Sequence, residues 1–328
     1  MKAFVTGATG FIGGNLVGRL IAGGHEAVCL ARPTSDMRRL RSLGVTLVPG
    51  DVTVKDSLLR GMSGCDWVVH LAACYEFWVP DPEVFFRVNV TGTRNVLEAA
   101  LETGVSKVID VSTVVTFGDA AWPVTEATPM GRRWPTEYSR TKAEGERVAR
   151  QLHAEKGLPL VLVQPGGVLG PGDTKATARY VRNLVQGRMP AQVLTTHPFP
   201  FVHVRDVCEA IVRALEKPDN IGESYLLVSE NMTFGEMNRI VAEVTGRRLP
   251  ALTLPDFVTT AMAYVLTAVA NVTKRPPWLD LSTDQAALMR WGLVADGSKA
   301  TRELGLAYTP VREAIREALT ARDARTPQ

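Results

Sequence analysis

Gly7-Ala8-Thr9-Gly10-Phe11-Ile12-Gly13 follows directly on the apolar run Lys2–Thr6 and opens a segment, Phe11–Ala22, whose apolar residues recur at helical spacing. Glycine is needed where a chain turns tightly from strand to helix and where backbone must approach a pyrophosphate. The helix N-terminus then offers unpaired N–H groups to the anion. The loop predicts a dinucleotide site built on Gly7, Thr9, Gly10, Phe11, Ile12 and Gly13; the plain alternative is a tight strand–helix turn. Downstream, short β-branched runs alternate with helical patterns. Strands are expected at Lys2–Thr6, Glu26–Ala31, Thr46–Val48, Trp67–Leu71, Lys107–Ser112 and Leu160–Gln164, and helices at Phe11–Ala22, Asp36–Leu43, Val54–Met62, Pro82–Thr103 and Pro135–Lys156. Such alternation predicts an α/β fold with a doubly wound parallel sheet of Rossmann type. The continuous apolar runs fit strands buried on both faces.

From Pro165 the rhythm changes. Pro165-Gly166-Gly167 and Gly170-Pro171-Gly172-Asp173 precede helices near Thr177–Gln186, Val207–Glu216, Phe234–Thr245, Asp256–Val272 and Val311–Ala321, with short strands at Phe201–His203 and Ser224–Leu227. The expected division is a dinucleotide-binding domain over residues 1–165 and a smaller mixed α/β substrate lobe over residues 166–328, with some chain returning to the sheet. The tail 323–328 is expected to be loose.

The 328 residues carry a net charge of only +3 and no basic run, which argues against a nucleic-acid partner. Cys29, Cys65, Cys74 and Cys208 lack Cys-x-x-Cys spacing and read as reduced thiols of a cytoplasmic protein. No signal peptide is expected ahead of the first strand. The five histidines show no metal-ligand spacing, so no metal is expected. The apolar stretch Phe257–Val272 is shorter than the about 20 residues a membrane span needs. It remains open as a buried or substrate-covering helix, or as a helix making peripheral contact with a membrane surface.

Two residue sets carry chemistry. Tyr138-Ser139-Arg140-Thr141-Lys142 places a phenol and an ammonium four apart, on one helix face. A nearby cation favours the phenolate and lowers a phenol pKa from its usual value of about 10, which makes a usable acid or base. Alone, such a pair is more often a packed Tyr and a solvated Lys; its position downstream of the glycine loop gives it a partner. The second set is Cys29-Leu30-Ala31-Arg32-Pro33-Thr34-Ser35, where the second strand ends without the carboxylate that would accept from a ribose 2′-OH. Arg32 suits a 2′-phosphate and an adenine face, with Ser35, Arg38 and Arg39 in support. NADP(H) is therefore the preferred cofactor, with NAD possible and a solvated Arg32 the alternative. Asp51 and Val52 follow the third strand near an expected adenine, and Leu71, Ala72 and Ala73 follow the fourth, where small residues permit close backbone approach.

These residues resemble an extended short-chain dehydrogenase/reductase of the NAD-dependent epimerase/dehydratase family. The markers are the glycine loop, Asp51-Val52, Leu71-Ala72-Ala73, Asn89-Val90-Thr91-Gly92-Thr93, Ser112-Thr113 with Gly118 beyond, Tyr138-x-x-x-Lys142, Pro165-Gly166-Gly167-Val168 and Phe201-Val202-His203-Val204-x-Asp206-Val207. Arg32-Pro33-Thr34-Ser35-Asp36 and Phe77-Trp78-x-Pro80-Asp81-Pro82 are similar to proteins called dihydroflavonol-4-reductase-like or hopanoid-associated sugar epimerases. The resemblance implies that Tyr138 is the acid/base and that Lys142 is its partner and holds the nicotinamide ribose. It implies that Thr113 polarises the substrate oxygen and that Pro165, Gly167 and Val168 border the nicotinamide. Asn89 is implied as a structural anchor and Asp206 as an organiser of the second lobe.

Two departures narrow the chemistry. Val114-Val115 stand where sugar dehydratases of this family carry Asp-Glu, so elimination lacks its acid and base. His197-Pro198-Phe199-Pro200 stand where sugar-nucleotide enzymes carry a phosphate-binding Arg. Tyr75, Phe77, Trp78, Phe85, Met189 and Phe199 are apolar pocket candidates, each also compatible with plain core. The expectation is NADP(H)-dependent reduction of a ketone or aldehyde, or oxidation of the alcohol, on a hydrophobic non-nucleotide small molecule. The alternatives are an NAD-dependent sugar or sugar-nucleotide epimerase and a non-catalytic dinucleotide sensor. A homodimer through Pro82–Thr103 and Pro135–Lys156 is expected.

Overall fold

The structure, a computed structural model, describes residues 1–323. The expected looseness of the tail concerns residues 324–328, which lie outside the described residues. Seven parallel strands form the main sheet: β1 (Lys2–Thr6), β2 (Glu26–Ala31), β3 (Thr46–Pro49), β4 (Trp67–His70), β5 (Lys107–Val111), β6 (Leu160–Pro165) and β9 (Ser224–Leu227). Their order is β3-β2-β1-β4-β5-β6-β9. The order reverses direction between β1 and β4, and in such sheets ligands bind beyond the carboxyl ends of the strands at that point. The glycine loop leaves β1 there.

Helices cover both faces of this sheet. The first half supplies α1 (Phe11–Ala22), α2 (Arg38–Ser42), α3 (Lys55–Met62), α4 (Glu83–Phe86), α5 (Thr93–Thr103) and α6 (Glu137–Lys156). The second half supplies α7 (Ala176–Val185), α8 (Val204–Glu216), α9 (Phe234–Thr245), α10 (Asp256–Thr273), α11 (Thr283–Trp291), α12 (Ser298–Leu304) and α13 (Val311–Asp323). The central strands β4, β5 and β6 are buried throughout, as their uninterrupted apolar sequences require. The buried Lys107 ammonium closes one end of the sheet. It donates to the Ala214 and Leu215 carbonyls at the end of α8 and to Asn220 Oδ1, where a cation complements the carbonyl end of a helix.

A smaller sheet, ordered β10-β8-β7, lies over the open end: β7 (Gly167–Leu169), β8 (Pro198–His203) and β10 (Glu230–Thr233). Ser224–Leu227, read from the sequence as part of the small lobe, is the seventh strand of the main sheet, and α8 and α12 pack against it. The short strands β7 and β10 went unread. β10 is the polar run Glu-Asn-Met-Thr, which has no strand signature and is held by its antiparallel pairing with β8. The helices α11 and α12 were also unread, being short.

Pro82–Thr103 is not one regular helix. A π turn spans Arg87–Gly92 between α4 and α5. Its cause is visible at Asn89, whose side chain accepts from Cys74 N (2.8 Å) and donates to Cys74 O (3.3 Å) and Thr141 Oγ1 (3.0 Å). A Cβ on Gly145 of α6 would fall 2.3 Å from Asn89 O, so α6 lies hard against this turn. Such π turns recur at functional sites. This one pins the loop after β4 to the helix that carries Tyr138 and Lys142. Asp206, expected to organise the second lobe, accepts from Thr309 N (2.7 Å) and Thr309 Oγ1 (2.9 Å) and so fixes the entry to α13.

Candidate active site

At the carboxyl end of β1, Gly7 has φ +69°, and a Cβ there would lie 2.7 Å from Ala72 N. The small residues after β4 thus let the two strand ends close on each other. A Cβ on Gly13 would lie 2.2 Å from Gly7 O, so the turn itself demands glycine at both positions. Gly10 differs: it is exposed, and its Cβ would meet only Gly7 O, at 3.1 Å. Gly10 is also the N-cap of α1, where no side chain caps the helix and no acid sits in the first turn. Uncapped N–H groups beneath an open glycine fit the pyrophosphate of a dinucleotide. Thr9 is exposed beside Gly10, and Phe11 and Ile12 pack their half-buried side chains on the main core.

At the tip of β2, Arg32 is exposed and has no ion-pair partner among the described residues. Ser35 N donates to Arg32 O (2.9 Å), forming the turn that displays the guanidinium. The support expected from Arg38 and Arg39 is redistributed. Arg38 is held by Asp36, its Nη2 donating to Oδ2 at 2.6 Å, and Arg39 donates to Asn15 Oδ1 at 2.9 Å beside Gly14. Asp51 Oδ1 accepts from Thr53 N and Oγ1, and Val52 O accepts from Asn95 Nδ2 (3.0 Å). Pro165 ends β6, whereas Gly167 and Val168 belong to β7 and pair with Phe201 and Val202.

The fold brings Thr113, Tyr138 and Lys142 together. Thr113 follows β5 as the N-cap of a 3-10 turn at Val114–Phe117. Tyr138 stands in the first turn of α6, which a Thr136–Ser139 capping box starts. The Thr113 hydroxyl lies beside the Tyr138 phenol. Lys142 is 5% exposed, and its Nζ donates to Val111 O at 3.0 Å. Burial raises the Tyr138 pKa above the usual phenol value; Tyr75 adds to the rise and the neighbouring Thr113 hydroxyl opposes it. The expected depression by Lys142 is therefore not the balance struck here. The site is dry enough for desolvation to win, and the ammonium is bonded to a backbone carbonyl.

Beneath this trio lies a buried polar layer that sequence reading left out. Glu146 Oε2 accepts from Ser112 Oγ (2.6 Å) and Thr116 Oγ1 (3.1 Å), and Gln164 Nε2 and Arg150 also donate to the carboxylate. Ser112 and Thr116 flank Thr113, so this carboxylate holds the turn in place. Its sequence signal is plain in hindsight: Tyr138, Lys142 and Glu146 are four apart on one face. His70 is fully buried between Thr6 Oγ1 (2.7 Å) and Thr93 Oγ1 (3.0 Å), and burial with the Lys142 charge lowers its pKa to about 3. Asp110, paired with His70 across β4–β5, is pushed up to about 6 by burial.

Among the pocket candidates, Tyr75 and Phe77 reach the site. Their ring centroids lie 4.9 Å and 6.5 Å from that of Tyr138, all edge-on. Phe199 packs on Phe201 (5.6 Å) and Phe234 (6.5 Å) in the same apolar cluster as Tyr138 and Phe85. Trp78 turns to α10, its Nε1 donating to Asn271 Oδ1 at 2.9 Å. An apolar cleft opens in the small lobe, lined by Tyr180, Met189, Ala191, Met262, Leu281 and Met289. Its edge adjoins Ser282, whose Oγ donates to Phe77 O (2.8 Å). Met189 alone of these six was singled out from the sequence. The rest are scattered apolar residues of separate elements, with no motif to mark them.

Residues 3–227 match the profile of the NAD dependent epimerase/dehydratase family. The chain belongs to that family. It is 31% identical over 330 residues to sterol demethylase protein B of Methylococcus capsulatus, covering 97% of each chain. It is 29% identical over 313 residues to the 4-hydroxy-2-methyl-3-oxo-4-farnesyl-3,4-dihydroquinoline-1-oxide ketoreductase of Stigmatella aurantiaca, covering 94% of this chain and 92% of that one. The crystal structure of gox2253 superposes with a TM-score of 0.84 at 34% identity over 98% of both chains. Several relatives are named reductases or dehydrogenases, and this member of the family is an NAD(P)-dependent oxidoreductase acting on CH–OH/C=O. No helix among the described residues is long and apolar enough to cross a membrane.

Proposed function

We propose that the protein reduces a ketone or aldehyde of a hydrophobic, non-nucleotide small molecule with NADPH. The observation that carries this reading is the Tyr138 phenol, buried, beside the Thr113 hydroxyl and enclosed by the Tyr75 and Phe77 rings. The phenol carries its proton on Oη at neutral pH, as any phenol of pKa about 10 or above does, and can donate it to a more basic developing alkoxide. Thr113 Oγ1 orients the substrate oxygen, and Tyr138 Oη gives that oxygen its proton. Lys142, tied to Val111 O, stands ready to hold the nicotinamide ribose. The nicotinamide, when bound, supplies the hydride that the carbonyl carbon accepts. Gly7, Gly10 and Gly13 receive the pyrophosphate, and Arg32 the 2′-phosphate that makes NADP the preferred cofactor.

The aromatic wall and the apolar cleft support a substrate without a phosphate handle, as does Phe199 where a phosphate-binding Arg would otherwise stand. Two relatives carry sterol and farnesyl-quinoline names, which support a rigid or isoprenoid body of low polarity. Residues 1–165 and 166–328 serve as cofactor and substrate lobes within this reading, with Val204–Leu227 returning to the cofactor sheet. A two-fold pairing through the helices of residues 82–103 and 137–156 belongs to it as well, and light scattering reads it directly. The decisive test is NADPH and NADH oxidation against ketones and aldehydes of graded hydrophobicity, with Tyr138→Phe alongside. Turnover should fall at least about 10³-fold in the variant while NADPH still binds. Near-wild-type turnover would overturn the mechanism. NAD retained through purification, with no oxidation of either nucleotide, would point to the epimerase instead.

A further inference from the structure

The outer side of α10 is an uncharged apolar stripe with nothing packed on it. Phe257, Ala261, Tyr264, Val265, Ala268, Val269 and Val272 are all exposed, from 54% at Val269 to 84% at Val272 for the large ones. At about 100° and 1.5 Å per residue they form one face about 23 Å long. No Asp, Glu, Lys or Arg lies between Phe257 and Thr273. The helix is not a loose flap. Buried Thr259, Ala263 and Ala270 mark its inner side, and its flank is fastened by Trp78 to Asn271 (2.9 Å), by Thr283 N to Thr267 Oγ1 (2.9 Å) and by Arg290 to Thr260 Oγ1 (3.1 Å). A fixed, exposed apolar face of this extent needs a partner.

The charges at its ends say which one. Asp256, at the N-terminal end, is held by His197 Nε2 at 2.8 Å. Lys274 and Arg275, at the other end, are exposed and have no ion-pair partner among the described residues. Three residues on, Trp278 is 56% exposed and lines the apolar cleft, whose wall also includes Met262 from the inner side of α10. The stripe, two free cations, an amphipathic Tyr264 and Trp278, and the mouth of the cleft therefore lie in sequence along one element. A second copy of the chain would cover the stripe but would bring only more uncompensated cations. A bilayer with anionic headgroups satisfies both parts.

We propose that α10 is an interfacial helix that seats its outer stripe in the headgroup–acyl boundary of an anionic membrane. Lying flat, it needs neither the length nor the hydropathy of a span. The body of the protein takes the place of the polar face that a free amphipathic helix would carry. The cleft beneath then draws its occupant from the bilayer, a step that rests on the hydrophobic-substrate reading above; the docking itself does not.

The test is flotation of the full chain with phosphatidylcholine vesicles, with and without about 30% phosphatidylglycerol. The wild-type chain should float with the anionic vesicles and lose binding as salt rises. Lys274→Ala with Arg275→Ala should lower the partition coefficient about thirty-fold. Val265→Asp with Val269→Asp should abolish flotation without changing the circular dichroism or the melting temperature, since both side chains are exposed. No flotation of the wild type, or equal flotation of all three chains, overturns the proposal. So does a concentration-dependent dimer that the aspartates dissolve without any vesicle binding. Because no readout uses turnover, an inactive enzyme that floats separates the two failures.

Discussion

Asp110 on β5 is 1% exposed, and its Oδ1 has no hydrogen-bond partner. Burial pushes its pKa from 3.8 to about 6, with the Lys142 charge opposing the rise and Glu146 adding to it. A carboxyl raised in the folded state binds its proton more tightly there than in the unfolded chain. The stability it contributes is complete below pH 3.8 and is lost as pH rises through about 6. The full loss is the shift times about 1.4 kcal/mol per unit, or about 3 kcal/mol. Between about pH 4.5 and about pH 7.5 the same linkage relation yields about 2 kcal/mol of that total. Asp110→Asn removes the titration while nearly keeping the shape. Any fixed cost of placing an amide there is the same at both pH values and cancels from the comparison. Urea unfolding of both chains at the two pH values measures the difference. The variant should gain about 2 kcal/mol relative to wild type on going from the lower to the higher pH. A difference that stays constant within about 0.5 kcal/mol would refute the buried, proton-holding Asp110.

Three further substitutions follow from local contacts. Arg32→Ala should raise the KM for NADPH about 10- to 100-fold, the worth of one charge-assisted hydrogen bond, while changing NADH little; equal changes for both would refute Arg32 as the 2′-phosphate contact. Gly13→Ala puts a Cβ 2.2 Å from Gly7 O, an overpacking expected to cost about 1–3 kcal/mol, read as a lower melting temperature together with lost NADPH binding. An unchanged melting temperature would mean that the turn does not need glycine there. Asn89→Ala deletes three hydrogen bonds and orphans the Cys74 N–H, for about 3 kcal/mol of destabilisation by urea unfolding. A loss below about 0.5 kcal/mol would show that the π turn stands without this clamp.

What the sequence made legible and what it hid divide along a physical line. Local signals survived: the glycine loop, the parallel strands and the helix bearing Tyr138 all depend on residues near one another in the chain. Boundaries slipped by one to three residues at helix starts such as Arg38, which no side chain caps, and Val204, whose cap is an imidazole, His203, rather than Ser, Thr, Asp or Asn. Non-local facts were out of reach. Ser224–Leu227 looks like any short apolar strand, and only the space beside β6 assigns it to the main sheet. The π turn at Arg87–Gly92 reads as ordinary helix because its cause, the Asn89 clamp, lies on two other segments. The cleft takes its wall from residues 176 to 289, a set that no periodicity joins.

The pKa of Tyr138 is the sharpest instance. Four-residue spacing correctly puts Lys142 on its face, and from that alone the phenol should turn acidic. Spacing is silent on two other contributions: the Tyr75 and Phe77 rings that dry the phenol, and the groups that share the Lys142 charge. The ammonium is bonded to Val111 O, and its field falls on His70 and on Asp110, which is mostly ionised above about pH 6. Desolvation is the largest contribution to the proton affinity of the phenol. A phenol so placed holds its proton tightly and gives it up only to a strongly basic partner such as a developing alkoxide.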